Sequence, residues 1–108
     1  MTMTRILCLS VAAAMAVAVL TSSTQAATIR ITIDNLTYVP AEASARVGDT
    51  VEWINKDVFA HTATARNHDF DVMQPPKSTV STVLKKAGTV DYFCKFHPNM
   101  KGRLVIAP

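Results

Sequence analysis

Several short stretches of the chain alternate hydrophobic with polar residues, so that the hydrophobic positions recur at every second residue. The clearest case is the series Ile29, Ile31 and Ile33, which is separated by polar or charged residues. A period of two is typical of a β-strand with one buried face. The same pattern, with enrichment in β-branched and aromatic residues, predicts further strands at residues 50–54, 61–65, 70–73, 79–84, 89–94 and 103–106.

Turn-forming residues such as Gly48, Pro75 and Gly88 separate these stretches. Pro40 interrupts residues 36–47, which are predicted to be a loop with an edge strand because proline has no N–H to donate within a sheet. Turn signals recur about every 8–12 residues and no helical period follows Ala26. The sequence therefore predicts an all-β protein, an antiparallel β-sandwich.

The first 26 residues have the composition of a secretory signal peptide. Arg5 is followed by an apolar run at residues 6–20 and then by small and polar residues. The run is shorter than the roughly 20 residues that span a bilayer, so a retained anchor is the less favoured alternative. We expect cleavage after Ala26, loss of Cys8 with the leader, export to the periplasm and no stable membrane insertion afterwards.

Cleavage would leave residues 27–108, a length that suits one domain. The formal net charge of the whole chain is +3 and its basic residues are scattered, which gives no support to nucleic-acid binding. Cys94 would be the sole remaining cysteine, and this excludes an internal disulfide. A domain this small often needs a further stabilising element, and a bound metal ion would serve.

The ligands for such a metal are predicted near the carboxyl end. Cys94, His97 and Met100 are spaced three residues apart, with Pro98 to tighten the loop, and His61 lies upstream. A thiolate and two imidazoles with a weak thioether suit a blue-copper centre, because thiolate and thioether favour Cu(I) while imidazole also binds Cu(II). The sequence therefore predicts one copper ion at this site.

Four segments of the chain resemble the cupredoxins, at residues 48–57, 61–62, 88–94 and 97–102. The resemblance is greatest to the group formed by amicyanin, pseudoazurin and plastocyanin, and the short ligand loop is most similar to that of amicyanin. It implies a Greek-key β-sandwich with one type 1 copper ion at one end. It also implies that His61, Cys94 and His97 bind the copper ion, with Met100 as a distant axial ligand.

The resemblance further implies supporting roles for two neighbours of the site. Thr62 is expected to hydrogen-bond the ligand loop, and Asn55 to brace the adjacent turn. Lys95 and Phe96 stand where relatives often have small residues or proline, which predicts a more basic and bulkier rim.

We interpret the protein as an electron carrier and not as an enzyme, because four protein ligands leave little room for a substrate at the metal. The edge of His97 is expected near the surface, with Phe59, Phe96 and Pro98 as an apolar docking patch. Brief contacts with a redox protein such as a dehydrogenase, a cytochrome or a reductase would suit this patch. The carrier is expected to be a monomer.

Two other functions fit the same residues less well. A copper chaperone or a storage or resistance protein would be expected to expose Met-rich or His-rich tracts, and His68 and Met73 are the only spare ligands after the leader. A zinc enzyme would need an open coordination position and a nearby acid or base.

Overall fold

The computed structural model describes residues 10–18 and 25–108. The predicted leader therefore lies partly outside the described residues. Cys8 lies wholly outside them. Residues 10–18 form no regular secondary structure and are exposed. Within the two described ranges, no helix is long and apolar enough to cross a membrane.

Residues 25–108 form nine strands and no helix. They are β1 (Thr28–Asp34), β2 (Thr37–Val39), β3 (Glu42–Arg46), β4 (Thr50–Asn55), β5 (His61–Ala65), β6 (Asp71–Gln74), β7 (Thr79–Val83), β8 (Gly88–Phe93) and β9 (Lys101–Ala107). One sheet has the order β2-β1-β4-β7 and the other the order β3-β9-β8-β5-β6. The predicted all-β sandwich is confirmed, and the edge-strand region around Pro40 provides β2 and β3, each at a sheet edge.

The sequence pattern predicts antiparallel pairing throughout, but two of the strand pairs are parallel. β1 pairs with β4 in parallel, and β3 pairs with β9 in parallel. Between β1 and β4 the chain turns back through β2 and then crosses to the other sheet as β3. When the chain returns to the first sheet as β4, it runs in the same direction as β1. The two strands therefore pair in parallel.

The core lies between the sheets and is built from the alternating positions. Ile31, Ile33 and Trp53 point inward from the first sheet and are fully buried. Trp53 and Tyr92 pack edge to face with their ring centroids 5.2 Å apart, an arrangement that aromatic rings prefer. These contacts give Trp53 and Tyr92 a packing role in the core.

Several strand ends meet at one end of the sandwich. β1 and β4 finish there, β5 and β9 begin there, and β8 finishes there, as their pairing directions require. The loops that carry the predicted ligands are consequently brought to this single end.

Gly102 has a packing role that its sequence context did not reveal. It lies within β9 directly opposite Tyr92, and a Cβ atom at this position would overlap the Tyr92 ring. The glycine therefore allows the phenol ring to lie against the β9 backbone, in addition to any part it has in turning the ligand loop.

We expect Gly102→Ala to lower the free energy of unfolding by about 1–3 kcal/mol, because the added methyl group overpacks the core. The melting temperature of the copper-free protein should fall by roughly 4–8 °C for each kcal/mol. Val105→Ala, on the exposed side of the same strand, is the matched control and should cost much less. An unchanged melting temperature for Gly102→Ala would contradict the close approach of Tyr92.

Candidate metal centre

Three of the predicted ligands converge at the end of the sandwich. The donor atoms of His61, Cys94 and His97 all lie within 4.8 Å of one another. The Cys94 Sγ is 3.8 Å from His61 Nδ1 and 3.7 Å from His97 Nδ1. His61 and Cys94 are fully buried, whereas His97 is half-buried. A thiolate and two imidazole nitrogens are thus gathered at one point with little access to water.

The local backbone explains how residues so close in sequence reach one point. Cys94 directly follows β8, and the loop that begins there returns to β9 after Met100. The loop is closed by two main-chain hydrogen bonds, from Cys94 N–H to Met100 O (3.2 Å) and from Met100 N–H to His97 O (2.8 Å). Met100 is almost completely buried, with 4% of its surface exposed, so its side chain lies inside the protein beneath the loop.

Thr62 holds the cysteine and its loop at two atoms. Its main-chain N–H donates to Cys94 Sγ at 3.3 Å, and its Oγ1 accepts from Lys95 N–H at 2.9 Å. The contact with the ligand loop that was expected of Thr62 is therefore present. Together the two bonds fix the position of the Cys94 sulfur and of the first loop residue after it.

Tyr38 supports Thr62 from the core. Its hydroxyl donates to the main-chain oxygen of Thr62. Burial, followed by the nearby Cys94 and Tyr92, raises the pKa of Tyr38. The phenol therefore stays protonated and remains a donor over the ordinary pH range.

Asp57 orients His61 and was not identified from the sequence. Its Oδ2 atom lies 2.7 Å from His61 Nε2. Because Nε2 faces this carboxylate, the other ring nitrogen, Nδ1, faces Cys94 and is the one available to a metal. Metal-binding histidines are commonly fixed by a carboxylate in this way. The spacing of four residues was the available signal, although aspartate in a turn usually has a local role.

The same carboxylate binds the turn between β1 and β2. Asp57 accepts hydrogen bonds from Asn35 N–H (2.7 Å) and Leu36 N–H (3.0 Å), two residues with positive φ. Burial alone would raise the pKa of Asp57, but the bonds from Leu36, His61 and Asn35 outweigh it and hold that pKa below its usual value. The carboxylate is therefore ionised at neutral pH and connects this turn to His61.

Asn55 braces the neighbouring loops, as its sequence position predicted. Its Nδ2 donates to the main-chain oxygens of Phe59 (2.8 Å), Gln74 (3.2 Å) and Pro75 (3.1 Å). Its Oδ1 accepts from Asp57 N–H at 2.9 Å. One buried amide thereby fixes the segments on both sides of His61.

Gln74 is a second residue that the sequence did not reveal. It is fully buried and lies directly opposite His61 in the β5–β6 ladder. Opposite residues of an antiparallel pair share a face, so both side chains point into the sandwich. Neither amide atom of Gln74 has a hydrogen-bond partner among the described residues. An unpartnered buried amide costs about 1–3 kcal/mol, so hydrogen bonding among the described residues does not account for Gln74 at this position.

An apolar rim surrounds the half-buried His97. Phe59 and Phe96 are 58% and 52% exposed, and Pro98 is also exposed. The Phe59 ring lies 6.4 Å from the His97 ring, centroid to centroid. The predicted patch is therefore at the surface, and the structure adds Leu36, which is 42% exposed. A cavity of about 410 Å³ beside His97 is lined by Leu36, Phe96, His97, Pro98, Asn99 and Met100.

The rim is less basic than the sequence led us to expect. The Lys95 ammonium lies 2.8 Å from Asp71 Oδ2, so a carboxylate offsets the added charge. Of the two spare ligands, His68 lies in the turn after β5, at the opposite end of that strand from His61, and Met73 lies opposite Thr62 on β6 with 55% of its surface exposed.

The donor set fits copper. A buried cysteine sulfur and two imidazoles, with the buried thioether of Met100 in the same loop, combine the soft and borderline ligands that copper prefers in its two oxidation states. The fit rests on these residues and on their convergence, with one imidazole fixed by a carboxylate.

Comparisons with known proteins point the same way. A model of the cupredoxin-like domain family matches residues 7–106. Amicyanin from Paracoccus denitrificans is 31% identical over 84 residues, which cover 72% of this chain and 64% of that protein. Amicyanin from Paracoccus versutus is 26% identical over 80 residues, which cover 68% of this chain and 61% of that protein. The chain thus spans slightly less than two thirds of the length of either amicyanin.

A longer match is found to the methylamine utilization protein MauL from Methylorubrum extorquens. It is 31% identical over 110 residues, which cover 98% of this chain and 95% of that protein.

Solved structures match the fold as well as the sequence. The crystal structure of amicyanin from Paracoccus versutus has a TM-score of 0.64 and 27% identity, and the match covers 73% of this chain and 80% of that chain. A reduced Cu(I) form of an amicyanin variant has a TM-score of 0.64 and 31% identity, with 79% and 86% covered. Since the family model extends over residues 7–106, this chain belongs to the cupredoxin-like family and copper is its cofactor.

Proposed function

We propose that the protein is a periplasmic carrier of single electrons that binds one type 1 copper ion through His61, Cys94, His97 and Met100. The observation that carries this proposal is the convergence of a buried thiolate and two imidazoles beside a half-buried histidine edge with an apolar rim. Such a site keeps its metal enclosed and still has a short path to the surface.

When bound, copper supplies the exchange of one electron between Cu(II) and Cu(I). The residues of the chain hold the donors still during that exchange. Asp57 fixes the His61 ring, Thr62 fixes the Cys94 sulfur, and the closed loop fixes His97 and Met100. Because these hydrogen bonds do not depend on the charge of the metal, the ligands rearrange little and the energetic cost of electron transfer stays small.

The proposal assigns no catalytic reaction to the site. Four protein donors, two of them on fully buried residues, leave no ready position at which a substrate could bind. A zinc hydrolase would need such an open position and an acid or base to activate water. The nearest carboxylate, Asp57, is already engaged by His61 and two backbone N–H groups.

The apolar rim is the proposed docking surface for redox partners. Small interfaces with few charges at their centre suit encounters that must end quickly. Phe59, Phe96 and Pro98 surround His97, so a partner at this surface would lie close to the ligand that is nearest to solvent. We propose a dehydrogenase, a cytochrome or a reductase as the class of partner, and a monomer as the working form.

Periplasmic localisation rests on the leader, which we propose is removed after Ala26. Every strand among the described residues begins after this position, so cleavage there would leave both sheets complete.

Copper trafficking is the second candidate function on this fold. The exposed Met73 is the observation in its favour, because an accessible thioether could pass Cu(I) onward. It lies on the opposite side of β6 from the buried Gln74, and the enclosed donors of the main site are better suited to retaining a metal than to releasing it.

The exported copper protein should be intensely coloured by charge transfer from the Cys94 thiolate to Cu(II). Cys94→Ser should abolish this visible absorption. His68→Ala, which removes the histidine outside the centre, is the control and should leave the spectrum unchanged. A colourless Cu(II) complex of the native protein would reject the type 1 assignment.

Asp57→Asn should lower copper affinity about 10–100-fold, because the uncharged amide has one accepting oxygen in place of two and cannot hold both the His61 ring and the β1–β2 turn. A competition titration with a chelator of known affinity measures this loss. Asp91→Asn is the matched control, since it removes the same charge at an exposed residue paired with Arg103. Equal losses for both variants would show that only net charge matters.

Phe96→Glu should slow electron self-exchange between the Cu(I) and Cu(II) forms by about tenfold, because two copies would then bring like charges together at the rim. NMR line broadening in mixtures of the two forms measures the rate. Val83→Glu places the same charge on an exposed residue of β7 and should have little effect. Slow exchange in the native protein together with rapid loss of copper to a chelator would favour trafficking instead.

A further inference from the structure

The end of the sandwich opposite the metal centre holds the first residue after the proposed cleavage site. Ala27 N–H donates to Asp49 Oδ1 at 2.8 Å, and Ala27 O accepts from Thr50 N–H at 3.0 Å. Ala27 is thus fixed on both sides of its backbone, although it is exposed. β4 runs from this end to the metal centre and spans roughly 20 Å.

Asp49 is well suited to hold a positive charge. The side chain is only 6% exposed, and its second oxygen, Oδ2, accepts from Arg46 N–H at 2.8 Å. The N–H groups of Ala27 and Arg46 hold the pKa of Asp49 below its usual value, so the carboxylate is ionised at neutral pH. The adjoining main chain is also bonded, because Leu84 N–H donates to Asp49 O at 2.8 Å.

Leader removal changes the chemistry of the group that this carboxylate binds. Hydrolysis of the Ala26–Ala27 amide by a signal peptidase consumes one water, leaves a carboxylate on Ala26 and frees the amine of Ala27. That amine takes up a proton, because an α-amino group has a pKa of about 8. The nitrogen that lies 2.8 Å from Asp49 as an amide becomes an ammonium at the same place.

We propose that Asp49 is the binding site for the α-ammonium group of Ala27, so that processing converts a neutral hydrogen bond into an ion pair that closes this end of the sandwich. The proposal rests on the cleavage position given under the proposed function. The Thr50 contact keeps the nitrogen in place as its charge changes, because it holds the carbonyl of the same residue. Hydrogen bonds between two charged groups are shorter and stronger than neutral ones, so the processed protein is more stable at this end than the precursor.

The proposal is tested first on the protein exported and processed by cells that express the full chain. The mass of the copper-loaded product should place its first residue at Ala27. A different first residue would overturn both the cleavage position and the ion pair.

A double-mutant cycle then separates the ion pair from the hydrogen bond. Native and Asp49→Asn proteins are compared in the processed form and in a form that retains Gln25 and Ala26, in which the nitrogen stays an amide. Asp49→Asn should raise the unfolding equilibrium constant about tenfold more in the processed form than in the extended one, since a charge-assisted bond is lost only there. An equal increase in both forms would overturn the proposal.

A measurement on the native protein covers the case in which Asp49→Asn does not fold. The rate at which an acylating reagent labels the α-amine is followed against pH. Asp49 should raise the pKa of the amine above its ordinary value of about 8, while the constant positive charge of Arg46 acts in the opposite direction. An ordinary or lowered pKa would overturn the proposal.

The test of the ion pair between Asp49 and Ala27 does not depend on whether the protein carries electrons. A colourless copper complex with Ala27 as its first residue would reject the carrier and leave the ion pair open to the same test. A blue complex whose α-amine has an ordinary pKa would reject the ion pair and leave the proposed electron carrier standing.

Discussion

The point at which β5 and β8 stop pairing is the constraint on which the metal centre depends. Their ladder ends with Thr64 opposite Phe93. Beyond it the Thr62 N–H donates to the Cys94 sulfur, and the Lys95 N–H donates to the Thr62 hydroxyl. Side-chain atoms thus take the place of main-chain partners, so the donors stay satisfied while the strands separate. The donor atoms of the two histidines and Cys94 come together where the strands separate.

Two supports of the site come from the first sheet, whereas the residues that they hold, His61 and Thr62, lie on β5 in the second sheet. Asp57 follows β4 in the first sheet and fixes His61. Tyr38 lies on β2 of the same sheet and reaches across the sandwich to the Thr62 carbonyl. Docking of the two sheets is therefore what assembles the site. This explains why close packing at Trp53 and Tyr92, away from the donors, also matters for the metal centre.

The two ends of the sandwich have opposite physical characters. At the metal end, polar donors are buried under an apolar surface around His97. At the other end, a buried carboxylate joins the start of β1 to the turn before β4. The strands between them pass through a hydrophobic core, so the proposed docking of partners at the rim and the proposed anchoring of Ala27 are physically separate.

The sequence alone determined the strands and the ligand loop, because both depend on short-range patterns. Alternation over a few residues decides which face of a strand is buried, and the three-residue spacing of Cys94, His97 and Met100 carries the ligand chemistry. The sequence also predicted supporting roles for Thr62 and Asn55, through the resemblance of their segments to the cupredoxins. The tertiary structure alone decided the parallel pairings, the contact of Asp57 with both His61 and the β1–β2 turn, and the burial of Gln74. These features join residues from different strands, and their energies depend on distances that exist only once the two sheets have packed together.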